Sequence, residues 1–171
     1  KIYMFTFYKK HKNELYNKLV QLSRNNFFYR STNLNDNFET RALLVLFHLA
    51  IILKSKKKEK SKKAFQELFD NIFKNIEFNI RELGYGDTSV NKNMKTLSKI
   101  FYDVLFQLDK VHSFSFNTNT YLLEKYFYKN KKINIQKTKE LALYFDEFQN
   151  FCFDLDVNNV LKGLIDFKYS K

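Results

Sequence analysis

A histidine in the middle of an apolar run, Ala42 to Leu53 (ALLVLFHLAIIL), is the first residue in this sequence that could do chemistry. An imidazole in such a setting is either a haem or metal ligand or a core side chain with a local hydrogen-bond partner. His48 fits both readings, and no second ligand stands near it. His11 and His112 are far away, so no metal-ligand spacing is formed. Cys152 is the only cysteine, which excludes an intramolecular disulfide; its apolar neighbours suggest a packing role. Asp154 and Asp156 form a carboxylate pair (DLD) at the close of a helical pattern, where such residues more often cap than catalyse. The sequence contains no Gly-rich phosphate loop, nucleophile elbow or paired-cysteine motif, and no cofactor is expected.

The other chemistry lies in arginine. The net charge is +12, and lysine supplies all but four of the thirty basic residues. Asn, Ile, Phe and Tyr are abundant while Gly, Pro, Ala and Trp are scarce, the bias of an AT-rich coding sequence. Part of the lysine excess is therefore ordinary solvated surface. Arg24, Arg30, Arg41 and Arg81 stand against that bias and mark places where a planar, bidentate donor is needed. The scarcity of arginine and the corner geometry set by Gly84 and Gly86 predict that Arg41 and Arg81 bridge carboxylates drawn from Asp36, Glu39, Glu82 and Asp87. If partly buried, these pairs would hold the second helix against the corner between the third and the fourth. The run KSKKKEKSKK, Lys54 to Lys63, reads either as a solvated linker or as a patch leaning on phosphates or anionic headgroups.

These residues need a frame. The absence of proline and the recurring 3.6-residue period predict an all-α, single-domain helical bundle of about six to seven helices. A first helix is expected from about Asn13 to Phe28, with Leu15, Leu19 and Leu22 on one face. Asp36, three residues before Glu39, resembles a capping box opening the second helix. That helix is apolar all round, and its twelve-residue run is short of the roughly 20 residues of a membrane span, so it is expected at the bundle centre. The third helix, about Lys63 to Leu83, carries the stripe Phe65, Leu68, Phe69, Ile72, Phe73, Ile76, Ile80 and Leu83. The fourth, about Val90 to Leu108, turns Met94, Leu97, Phe101, Val104, Leu105 and Leu108 inward. Helices two, three and four are the expected packing unit. Between the last two lies RELGYGDTSV, a tight corner: Gly84 past the helix end, Gly86 turning the chain again, and Asp87, Thr88 or Ser89 capping the fourth helix. A loop (HSFSFNTNT), a short helix Tyr121 to Tyr128, a helix Lys137 to Phe153 and a last turn or helix within Asp156 to Phe167 complete the reading. The pattern weakens from Phe114 onward. Residues 1–12 read as a basic, aromatic tail without the apolar core of a secretory leader, 13–110 as the core helices, and 111–171 as helices packing on that core.

Four consecutive segments, LYNKLVQLSRNNFFY, DNFETRALLVLFHLAIIL, ELFDNIFKNIEFNIRELGYGDTSV and NKNMKTLSKIFYDVL, together resemble the core of the ubiquinol–cytochrome c chaperone family over about Leu15 to Leu105. The most specific elements are D-x-F-E-x-R leading to L-x-x-H, and R-E-x-G-x-G-D followed by V-x-K-x-M-K. Where relatives typically carry a proline between Arg24 and Tyr29, this chain has Asn25-Asn26; Ala42 replaces a frequent aromatic, and Asp103-Val104 a Gly-Arg pair. The resemblance implies an all-α domain that binds and holds nascent cytochrome b or another complex III subunit, with no cofactor and no chemistry of its own. It implies a place at the inner membrane, on the cytoplasmic face in bacteria or in the mitochondrial matrix, with the ribosome exit and a second assembly factor as further partners. Its motif positions make Arg24, Tyr29, Asp36, Phe38, Glu39, Arg41, His48, Arg81, Glu82, Gly84, Gly86, Asp87, Lys92 and Met94 the candidate partner-binding or structural residues. The competing reading is a basic helical module that binds ribosome or nucleic acid, supported by charge alone. An enzyme would have to build its site from His48 and the Asp36–Glu39–Arg41 cluster.

Overall fold

The computed structural model describes residues 13–58, 62–110, 113–129 and 134–169. His11, His112 and the tail at 1–12 lie outside them. Eight helical segments occur among the described residues and no strand: α1 (Glu14–Ser23), α2 (Asn26–Arg30), α3 (Phe38–Ser55), α4 (Lys62–Glu82), α5 (Asp87–Lys110), α6 (Tyr121–Phe127), α7 (Ile135–Phe153) and α8 (Val157–Leu161).

The expected first helix is two helices. The Asn25 side chain accepts from the Phe27 N–H, capping a new start and ending α1. Asn25 thus separates α1 from α2. The cap of α3 is Asn37 and not Asp36: its side chain accepts from the Thr40 N–H at 2.9 Å, while Asp36 is taken up by Arg41. Asp156 caps α8 as its position in the DLD pair suggested.

Every residue of α3 from Ala42 to Leu53 is buried. A helix apolar on all sides needs cover on all sides, and α1, α5 and α7 supply it. The expected trio of helices is therefore corrected. The third predicted helix (α4) has one apolar stripe; it packs mainly on α5, and α7 takes the place assigned to it around α3. On that stripe Ile72, Phe73, Ile76 and Ile80 are buried, Phe69 is half-buried and Leu83 emerges into solvent.

His48 is a core imidazole. Its Nδ1 lies 2.6 Å from the Leu44 carbonyl, which can only accept, so Nδ1 carries the proton and Nε2 accepts from the Tyr144 hydroxyl at 2.8 Å. Burial pulls the imidazole down to about pKa 4, against a small upward effect of the Leu44 bond. Both ring nitrogens are thus committed, which leaves none for haem or metal. Burial likewise pushes the Cys152 thiol up, so it stays protonated packing material.

The lysine run is corrected in part. Lys54 and Lys57 both reach Asp109 of α5, at 3.0 and 2.8 Å. The buried Lys56 donates to the Phe153 carbonyl at the end of α7, where a cation meets the negative end of the helix dipole. These three residues hold helices together and are not a free linker. Residues 59–61 lie outside the described residues. Elsewhere Asp146 of α7 ties down the 113–120 loop, accepting from the Ser115 hydroxyl and the Phe116 and Asn117 N–H groups. Asp103 does similar work, accepting from Lys125 and Tyr126 on α6.

Candidate functional site

A groove of about 450 Å³ opens between α1, the start of α3 and the end of α4. Each wall is built by local sequence. Asn13 caps α1 by accepting from the Tyr16 N–H, and Tyr16 and Val20 face the groove. The chain then doubles back through α2. The Tyr29 hydroxyl donates to the Ser23 carbonyl at 2.5 Å, pinning α2 to the end of α1. Burial pushes that phenol up to about pKa 12, partly opposed by nearby Arg41. Asn33 takes a positive φ of 56°, a conformation asparagine tolerates, and delivers the chain to α3. Phe38, Arg41, Ala42 and Val45 form the second wall, and Ile76, Asn79, Glu82 and Leu83 the third. The Asn79 amide donates to the Tyr16 hydroxyl and ties the first wall to the third.

The two arginine sites are real but local. Arg41 donates to Asp36 through Nε at 2.8 Å and through a terminal nitrogen at 2.6 Å. Arg81 takes Glu77, one turn back, at 2.9 and 3.0 Å, and reaches Asp87 with its other terminal nitrogen. All three guanidinium nitrogens are used. They staple the last turn of α4 to the first turn of α5, and these carboxylates raise the Arg81 pKa further. Both pairs are substantially exposed, with arginine side chains 38% and 42% accessible. They do not bridge α3 to the corner: Glu39 pairs with Lys129 instead, and Glu77, which was not among the expected partners, replaces Glu82.

The corner also differs from expectation in its glycines. Gly84 has φ +87°, which favours a residue without Cβ, and its N–H bonds the Arg81 carbonyl as helix ends require. Gly86 needs no such freedom: its φ is ordinary and an added Cβ would meet nothing within 4 Å. Its carbonyl accepts from the Val90 N–H, so Asp87, Thr88 and Ser89 already lie inside α5 and do not precede it.

Of the candidate residues, Arg24, Asp36, Phe38, Arg41 and Glu82 line the groove. Tyr29 sits behind it, and Arg81, Gly84, Gly86 and Asp87 form the adjoining corner. His48 is in the core. Lys92 is exposed and Met94 half-buried along α5, outside the groove lining. Of the apolar lining, Ile76 and Leu83 were expected on the inward stripe of the third helix, and Tyr16, Val20 and Val45 were not singled out in sequence. Around the corner the large apolar side chains Phe78, Leu83 and Tyr85 are each about half exposed, at 51%, 55% and 50%. Of these, Leu83 lies in the groove lining itself.

The chain was compared with known proteins. The family model described as "Ubiquinol-cytochrome C chaperone" matches residues 30–167. It takes in α3 to α8 and leaves the α1 wall outside, whereas the resemblance carried by the motifs begins near Leu15 and ends near Leu105. The weakly patterned stretch after Phe114 is part of the match. No curated protein matches the chain, and no solved structure does.

Proposed function

Because the chain belongs to the ubiquinol–cytochrome c chaperone family, we propose that it serves complex III assembly by holding an apolar segment of nascent cytochrome b in the groove between α1, α3 and α4. The observation that carries this reading is convergence. Arg24, the Asp36–Arg41 motif and Glu82 come from three separate stretches of chain and line one groove, beside apolar side chains left in solvent. Such exposed apolar patches mark interaction sites. Among the groove's charged side chains Arg41 and Asp36 pair with each other, and an interaction surface of this kind suits binding and release.

Membership of the family supports the rest of the reading. The protein works at the inner membrane, on the cytoplasmic face in a bacterium or in the matrix of a mitochondrion, near the ribosome exit and with a second assembly factor. Among the described residues no helix is long and apolar enough to cross a membrane. The nucleic-acid reading gains little from the structure. Exposed lysines such as Lys57, Lys74, Lys125, Lys139 and Lys162 are spread over several segments, and only α5 gathers a short row, Lys92, Lys95 and Lys99.

The test is genetic. Deleting the gene removes the haem b absorbance of complex III, and the parent chain restores it. Leu83→Glu, a change at an exposed position, leaves the helical signal and melting unchanged yet fails to restore the spectrum. A deletion strain with normal haem b spectra overturns the assembly role, and full rescue by Leu83→Glu moves the client away from the groove.

A further inference from the structure

We propose that the groove receives the basic-flanked end of an apolar membrane-spanning segment, with Glu82 facing the flanking cation. This rests on the reading of the groove as the client site and names the chemistry of what enters it.

The first support is charge. The whole chain carries a net +12, yet the groove lining is balanced, two guanidiniums (Arg24, Arg41) against two carboxylates (Asp36, Glu82). The corner beside it adds Arg81 against both Glu77 and Asp87. Arg41 and Arg81 are committed to their carboxylates. Glu82 is exposed, and no side chain among the described residues pairs with it. So the groove sits at a part of the molecule that does not share the positive excess, and the charge left without a neighbour is negative. A polyanion is the wrong partner for it, and a cation at the end of an apolar segment is the right one.

The second support is size and surface. Val20, Ala42, Val45 and Ile76 give an apolar floor, and exposed Leu83 continues it outward. A volume near 450 Å³ falls in the range of about 300–1,000 Å³ that encloses a small ligand. It is far too little for a whole span of roughly 20 residues and 30 Å. What fits is one end of such a segment, a few side chains deep.

General membrane physics then supplies the match. Spans carry Lys and Arg next to the end that stays on the side of synthesis. An apolar run flanked directly by a cation is the mark of that end, and it matches an apolar floor with a lone carboxylate at its rim.

The experiment uses the full chain and two labelled ten-residue peptides with the same apolar sequence, one ending in two lysines and one in two glutamates, with binding measured by fluorescence anisotropy. The lysine-ended peptide binds the parent more tightly by roughly three- to tenfold at low salt. The difference shrinks at high salt. Glu82→Lys, at an exposed site, leaves melting unchanged and abolishes or reverses the preference, while Leu83→Ser weakens both peptides. Equal binding of both peptides, with Leu83→Ser weakening each, overturns the flank inference and leaves the groove reading standing. Failure of both peptides to bind, or binding indifferent to Leu83→Ser, overturns the groove reading and this inference with it. Tighter binding of the glutamate-ended peptide makes the groove an anion site and also overturns the proposal.

Discussion

The imidazole of His48 on α3 accepts a 2.8 Å hydrogen bond from the hydroxyl of Tyr144 on α7, across 96 residues of sequence and with both side chains fully buried. The pair welds the central helix to its cover and fixes the neutral ring. Since the folded-state pKa is near 4 against an ordinary 6.5, the unfolded chain binds a proton between these values and the folded chain does not. Stability is therefore full above about pH 6.5 and falls as the pH drops towards 4, by on the order of 3 kcal/mol. Urea unfolding at pH 7.5 and 4.5 reads this directly. The double variant His48→Leu/Tyr144→Phe lacks that slope, and a parent with flat stability over the window contradicts a buried neutral ring.

The three glycines separate by geometry. Gly84→Ala costs about 1 kcal/mol, because φ +87° is strained for any residue with a Cβ. Gly163→Ala costs more: its φ is +69° and a Cβ would stand 2.6 Å from the Glu14 carbonyl oxygen, breaking the fit of the C-terminal turn against α1. Gly86→Ala stays within about 0.5 kcal/mol of the parent. Chemical denaturation of the three variants should give that order.

Phe73→Ala costs about 3–5 kcal/mol. Its ring stacks on Phe69 at 4.1 Å and meets Phe101 edge-on at 5.7 Å, so removing it empties the seam between α4 and α5. Phe69→Ala, at a half-buried position, costs less. Equal losses in thermal melts would mean that the seam is centred elsewhere.

Arg81→Lys leaves the urea midpoint unchanged within error, since its pairs face solvent. Arg41→Lys changes stability by at most about 1 kcal/mol. A large loss in either variant would show that the guanidinium fork, and not charge alone, holds the corner.

The helices were largely legible because their apolar spacing is regular and no proline interrupts it. The break inside the first helix was not, because Asn25 stops α1 with a side-chain cap that a period count does not register. The cap of α3 was misplaced by one residue, since Asn35, Asp36 and Asn37 can all accept from a free N–H and the side chain that reaches Thr40 is decided by the turn at Asn33. The arginines were correctly read as carboxylate partners, but Glu77 was missed although it lies one turn before Arg81 on the same helix face. The groove was invisible as an apolar surface. Val20, Val45 and Ile76 have the same periodic placement as core residues, and only the three-dimensional gap between three helices distinguishes them. Leu83 belongs to the α4 stripe by spacing yet is exposed, because it lies beyond the last turn of that helix, where the chain leaves the bundle.

The all-round apolar character of α3 has a cost during synthesis. The helix ends at Ser55, while α7, which covers one of its sides and supplies Tyr144, begins at Ile135, 80 residues later. At about 5–20 residues per second, translation needs roughly 4–16 s to bring out that cover. For that time the newborn chain presents an apolar helix with the side facing α7 uncovered. A chain of this chaperone family thus passes, while it is being made, through a stage in which its own central helix is open to aggregation.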